Sequence, residues 1–375
     1  MKRAIYIVLG LILAMSANTD SNAQETFKIG SSVGLSGYIA PLDREFLDGV
    51  ALAVDALNAS GGILGRKIEL IVEDNRSQPQ DAVIGYKKMI QQDRVNVFVS
   101  GCLSAGVFAV ASFVAQAELP MLFCSIPPQV PEQRKWGFQV APAPALTLER
   151  RLQYLGERAK IRKVGILHDA APFSKLGVEA AKKIAPKYGV EIVGTESYNN
   201  QDADLSNQIG RLNAAGANAI VKIGAGGTGI TAAKNIKALG LKTQLLIGDD
   251  TLSSFKAAAE VLGDQLLFPA DPTQMYNTAG AQRDTLTAFM KPWMAKYGNR
   301  SAAYGAPGWD AVMMLAKAAE TAKSVSGPAL RDAIEKLSDY RGVYRYHFSA
   351  DNHVGITENP FVMARFKDDR VVLVE

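Results

Sequence analysis

Three glycines in "KIGAGGTGITAAKNIKALG", residues 222–240, have a spacing that lets a backbone turn cradle a phosphate. Gly224, Gly226 and Gly229 spell G-x-G-x-x-G between an apolar strand-like run and a helical pattern. Asp249 follows about 20 residues later, where a dinucleotide site places an acid on the ribose. A nicotinamide cofactor is therefore the first chemistry to test against the rest of the chain. His168 and Asp169 end another strand-like segment, but no Ser or Cys nucleophile with a spacing of its own accompanies them, and catalysis is not indicated. With 3 His and 2 Cys in 375 residues, material for a metal centre is scarce.

The bulk of the chain narrows these options. Its length suits two domains, and 48% hydrophobic with 21% charged residues describes a globular protein with substantial cores. The net charge of +4 is spread along the sequence without a Lys/Arg block, so neither nucleic acid nor an anionic membrane surface is expected as a partner. At the N-terminus, Lys2 and Arg3 precede an apolar run from Ala4 to Met15, and Ser21 and Ala23 occupy positions −3 and −1 of a cut before Gln24. Residues 1–23 read as a secretory signal peptide, the run being too short for a comfortable membrane span. No cysteine sits near the cut, so a lipid anchor is not expected. Dinucleotides are scarce outside the cytoplasm, which weighs against the cofactor reading. Cys102 and Cys124 each lie in or beside an apolar strand-like segment; in an oxidising compartment they either pair or remain buried thiols, and both options stay open.

The elements that must position these residues alternate. Strand-like runs "TFKIGSSVG", "KIELIVED", "VNVFVSG", "PMLFCS" and "GFQVAP" are separated by helical patterns such as "REFLDGVALAVDALNAS" and "SAGVFAVASFVAQA". A second series, "RKVGILHD", "VEIVGTES", "NAIVKIG", "TQLLIGD" and "DQLLFP", repeats the order and spacing. Pro142 and Pro144 keep a helix from starting early between the series, and a second proline-marked stretch, "LLFPADPTQM", closes the second. Helical periodicity resumes after residue 280. The expected architecture is α/β: two similar doubly wound parallel-sheet lobes joined by a three-strand hinge. The first lobe takes residues 24–142 plus 273–345 and the second 146–268 plus 350–375, with crossings near 143–145, 269–272 and 346–349. A cleft between such lobes is a ligand site.

"IGSSVGLSGYIAPLDREFLDGVALAVDALNASGGILGRKIELIVEDNRSQPQDAV" resembles the opening of type I periplasmic binding proteins, in the Leu/Ile/Val-binding branch. The shared features are a strand, a Leu-Ser-Gly turn, an acidic helix closing on Asn-x-x-Gly-Gly-Ile, then Gly-Arg and a strand ending in Asp-Asn. The resemblance continues more loosely through "LPMLFCSIPPQVPE", "RKVGILHDAAPFSKLG" and "LGLKTQLLIGDD". It implies a periplasmic, monomeric solute-binding component of an ABC importer, working with a membrane permease, without enzymatic activity and without a cofactor. The Gly-rich turn then follows the third strand of the second lobe, whereas a dinucleotide turn follows the first strand of its unit. Its glycines are expected to keep the cleft wall low and let backbone approach a ligand.

The same resemblance carries contacts onto individual residues. Ser104, with Ala105 beside it, falls where a strand hands over to a helix and the family binds a ligand carboxylate; an ordinary N-cap is the structural alternative. The loop "SIPPQVPE" matches one that usually carries a bridging Thr, here replaced by Pro127, Pro128 and Gln129. Phe173 stands where the family commonly has Tyr, Gly226 where amino-acid binders often carry an aromatic, and Asp250 where an acid pairs with the ligand ammonium. Tyr38 and Leu42 would line the side-chain pocket and Tyr276 would close the mouth, each equally able to be a core residue. Hydrophobic or branched-chain amino acids are the family's expectation. The departures at Gln129, Phe173 and Gly226 suit an aromatic or phenylpropanoid acid instead, with Asp250 accepting from a ring hydroxyl. A ligand-sensing receptor on the same fold and an exported enzyme are the remaining alternatives.

Overall fold

"FKIGSSV" is buried at nearly every position, so both faces of this strand meet apolar neighbours, as in a parallel sheet covered by helices on both sides. The computed structural model describes residues 26–128, 130–277 and 283–374, and in it this segment is β1 (Phe27–Val33). Residues 1–23, read from the sequence as a signal peptide, and Gln129 lie outside the described residues. A five-stranded parallel sheet has the order β2-β1-β3-β4-β5, with β2 (Ile68–Asp74), β3 (Val97–Ser100), β4 (Met121–Phe123) and β5 (Gly137–Gln139). Its helices are α1 (Ala40–Ala59), α2 (Pro79–Lys88), α3 (Ser104–Gln116) and the short α4 (Pro131–Arg134).

The second sheet repeats the plan. β6 (Lys163–Asp169), β7 (Glu191–Tyr198), β8 (Ala219–Ile223), β9 (Gln244–Ile247) and β10 (Leu266–Ala270) are parallel in the order β10-β9-β8-β6-β7. They carry α5 (Pro144–Gln153), α6 (Pro172–Ile184), α7 (Ser206–Ala214), α8 (Thr228–Ala238) and α9 (Leu252–Leu262). Pro144 occupies the first position of α5, where its missing N–H costs the helix nothing. The chain's last helices, α10 (Asp284–Tyr297), α11 (Gly305–Ala322) and α12 (Gly327–Glu335), pack with the first sheet, as does the small hairpin of β11 (Tyr340–Arg341) and β12 (Arg345–Tyr346). α1 and α11 cross at backbone distance: a Cβ on Gly49 would sit 1.9 Å from the Gly305 carbonyl oxygen. The final strands, β13 (Val362–Lys367) and β14 (Arg370–Leu373), add antiparallel to β10 and lengthen the second sheet to seven, an extension the sequence reading did not foresee.

Where the chain passes between the sheets, its segments are tied side by side. The Gln139 amide donates to the His353 carbonyl at 2.8 Å, the Gly355 amide returns a bond to the Gln139 carbonyl at 3.2 Å, and the Asn359 side chain donates to the Leu146 carbonyl at 2.9 Å. Strand order reverses between β1 and β3 in one sheet and between β6 and β8 in the other. In open α/β sheets the loops at that reversal diverge above the carboxyl ends of the strands and leave a crevice. Here the two crevices face each other.

Candidate functional site

The facing crevices form one cleft of about 950 Å³, the solvent at its mouth included. Tyr38, Leu42, Ser104, Ala105, Phe173 and Asp250 all line it. Of the other residues singled out, Tyr276 packs in the core of the first sheet and Pro127 lies half-buried away from the cleft lining. At the third, Ala225 rather than Gly226 lines the cleft.

The first wall is built around the N-terminus of α3. Ser104 is not the cap: Leu103 holds that place, no side chain caps the helix, and the buried Ser104 Oγ has no hydrogen-bond partner. The helix leaves this hydroxyl unused. Beside it, Cys102 and Cys124 are joined in a disulfide that itself lines the cleft, which resolves the pairing left open by the sequence.

Buried acids tie the loops of this wall to the helices behind it. Asp43 on α1 accepts the Gly34 and Cys102 amides, each at 2.6 Å. Glu45, also on α1, accepts the Tyr304 amide at 2.7 Å and the Ser301 hydroxyl at 3.0 Å. Asp310 on α11 accepts the Val343 and Tyr344 amides at 2.9 and 3.0 Å and the Tyr346 hydroxyl at 3.1 Å. Tyr304 and Tyr344 both line the cleft, so these acids set its shape. Burial raises Asp43, Glu45 and Asp310 to about 7, against the pull of the amides that they accept. An unfolded carboxyl titrates near about 4, so between that pH and about 7 the native chain holds more protons than the unfolded one. The stabilisation is complete below the lower value and is lost as pH rises through the upper one. The melting temperature is therefore expected to be several degrees higher at about pH 5 than at about pH 7.5. A flat profile over that interval in scanning calorimetry would show that the acids are already ionised.

The second wall carries carboxylates. Asp169 ends β6 and accepts the Ala171 amide at 2.9 Å at the start of α6. Asp249 and Asp250 follow β9, Asp249 in the left-handed region at φ 60°. Asp249 lies 3.5 Å from the guanidinium of Arg151, a side chain with no exposed surface. Arg151 donates to the Lys222 carbonyl at 2.8 Å, the Thr147 carbonyl at 3.2 Å and the Thr147 hydroxyl at 3.0 Å. Asp250 accepts the Thr251 amide at 2.8 Å through one oxygen, while the other, buried, has no hydrogen-bond partner. Burial lifts Asp250 to about 6, partly offset by Lys222 and by the Thr251 amide. Across the cleft, burial and the charges of Asp169 and Asp43 push the Tyr38 hydroxyl up to about 12.

The glycine pattern now has a physical account. At Gly224, φ is 119°, and a Cβ would sit 2.4 Å from an Asp169 carboxylate oxygen. At Gly226, φ is 90°, and a Cβ would come 3.4 Å from the Tyr38 carbonyl oxygen of the opposite wall. These glycines let Asp169 and the facing lobe approach.

Thr147, Arg151, Lys222, Tyr304 and Tyr344 escaped the sequence reading, and Asp169 entered it only as half of a strand-end pair with His168. Lys222 alone left a signal there, as a charge in the middle of the apolar run "AIVKI".

Residues 26–370 match the family model described as periplasmic binding protein. Among relatives, the Leu/Ile/Val-binding protein homolog 1 of Brucella abortus (strain 2308) is 26% identical over 340 residues, 89% of each chain. Among solved structures, a periplasmic binding protein type 1 from Bordetella pertussis Tohama I superimposes with a TM-score of 0.81 at 25% identity, covering 93% of this chain and 99% of that one. The branched-chain amino acid transporter substrate-binding protein LivJ from Streptococcus pneumoniae, in complex with isoleucine, gives a TM-score of 0.79 at 22% identity, covering 92% and 98%.

Proposed function

Because this chain belongs to the periplasmic binding protein family, we propose that it captures a small carboxylate-bearing organic solute between its lobes and delivers it to the membrane permease of an ABC importer. One observation carries the reading: buried polar atoms without hydrogen-bond partners line both walls of the cleft, Ser104 Oγ on the first and, on the second, an oxygen of Asp250 together with Ser174 Oγ and an oxygen of Asp249. The N-terminus of α3 favours an anion beside Ser104, and Asp250 accepts a donor at the solute's other end. Rings of Tyr38, Phe173, Phe255 and Phe361 supply apolar surface between them, which suits a hydrophobic amino acid or an aromatic acid. Export by residues 1–23 would place the protein in the periplasm. Bending at 143–145, 269–272 and 346–349 would close lobe 24–142 plus 273–345 onto lobe 146–268 plus 350–375.

Calorimetric titration with branched-chain amino acids and with benzoic, cinnamic and hydroxylated aromatic acids tests this. At least one carboxylate is expected to bind and to raise the melting temperature. Ser104→Ala is expected to weaken that ligand about 10–100-fold, the range for a hydrogen bond to a charged group, while leaving the unliganded melting temperature close to that of the wild type. A panel without a binder, or equal affinity in the variant, would remove the reading.

A further inference from the structure

The second wall holds a helix terminus that its own side chains leave partly unsatisfied. At the start of α6, Ala171 occupies the cap position without a side-chain bond, and Pro172 after it has no N–H. Asp169 accepts the Ala171 amide at 2.9 Å. The amides of Phe173 and Ser174 come next, too early in the helix to have an intrahelical acceptor. Ser174 has no exposed surface, and its hydroxyl has no hydrogen-bond partner. Ala171, Phe173 and Ser174 all line the cleft. A buried hydroxyl left unpaired is costly. This corner of the cleft therefore offers donors to which the chain itself brings no acceptor.

Charge decides what the missing acceptor can be. Asp169, Asp249 and Asp250 line the same wall, against two buried cations, Arg151 and Lys222. A second carboxylate placed there would meet uncompensated negative charge and surrender its hydration in an apolar cleft. A neutral carbonyl or ether oxygen accepts the same bonds at a far smaller desolvation cost. Resting on the reading of the cleft as a carboxylate site, we propose that Ser174 and the α6 terminus form a second subsite, which binds a neutral acceptor oxygen of a solute whose carboxylate lies against α3. The solute class is then an oxo or alkoxy carboxylic acid, held at one point by each lobe, so that closure engages both anchors.

Calorimetry with matched pairs that exchange this oxygen for a methylene decides the matter: 4-methoxybenzoate with 4-ethylbenzoate, 4-methoxycinnamate with 4-ethylcinnamate, and 4-methyl-2-oxopentanoate with 4-methylpentanoate. None of these oxygens can donate, and at about pH 8 Asp250 is ionised and can only accept, so Asp250 adds no bond to either member. In the wild-type protein, the oxygen-bearing member of whichever pair binds is expected to be favoured by about tenfold. Ser174→Ala is expected to abolish that preference by weakening the oxygen-bearing member alone, with an unliganded melting temperature no lower than that of the wild type. An absent preference in the wild-type protein, or a Ser174→Ala protein that retains the preference or binds both members equally more weakly, would overturn this inference and leave the carboxylate site to the Ser104→Ala result. Pairs that fail to bind while another carboxylate binds would overturn it too. With no carboxylate bound at all, both readings fall.

Discussion

Replacing Arg151 with methionine is expected to lower folding stability by about 3–5 kcal/mol, the cost of removing one partner from a buried ion pair. The guanidinium holds three separate pieces of chain at once: Thr147 on its own helix, the β8 carbonyl of Lys222, and Asp249 after β9. Its loss leaves the buried Asp249 carboxylate without its nearest cation, at a residue already held in the left-handed region. Asp250 is the next residue, so ligand affinity is expected to fall along with stability. Arg151→Lys should recover little, because a single ammonium cannot reproduce the planar fork that spans these acceptors. Chemical denaturation of both variants checks the first effect and calorimetry the second. A methionine variant within about 1 kcal/mol of the wild type would mean that the wall is held by packing alone.

Opening the Cys102–Cys124 disulfide is the second large perturbation. The bond closes a loop of 22 residues in sequence separation, and the chain-entropy cost of such a loop in the unfolded state corresponds to about 3 kcal/mol. The two cysteines also join the segment that leads into α3 to the segment that leaves β4, and both line the cleft. A Cys102→Ser, Cys124→Ser protein is therefore expected to melt at a lower temperature and to bind its carboxylate ligand about tenfold more weakly, as Ser104 loses its fixed position. Mild reduction of the wild-type protein should reproduce both changes, and reoxidation should reverse them. Unchanged affinity with a lowered melting temperature would confine the bond to a structural part.

Several features were legible without coordinates because they are local. Continuous apolar runs such as "VFVS" and "AIVKI" announce strands covered on both faces, and their alternation with helical patterns implies two parallel sheets. The Gly-rich turn was legible as a turn, and its place after the third strand of its series argued against a dinucleotide. Positions Tyr38, Ser104, Phe173 and Asp250 followed from resemblance to a family, and they meet in one cleft.

Other features depend on residues that are far apart in the chain. Thr147 reaches Asp249 across 102 positions, and Arg151 reaches the Lys222 carbonyl across 71. No periodicity in "LTLERRLQ" distinguishes the buried Arg151 from its half-buried neighbour Arg150, because which arginine goes inside is decided by the carboxylate waiting there. Tyr276 sits in a core for the same kind of reason: the apolar volume beside it belongs to other parts of the chain. The sequence by itself determined the alternation of elements and the faces they bury, since these depend on spacing within a single strand or helix. Only the tertiary structure decided that the Ser104 hydroxyl is left unused by its helix, that the cysteines pair, and that Asp249 of the second wall faces the buried Arg151, since each of these depends on what distant chain brings within a few ångströms.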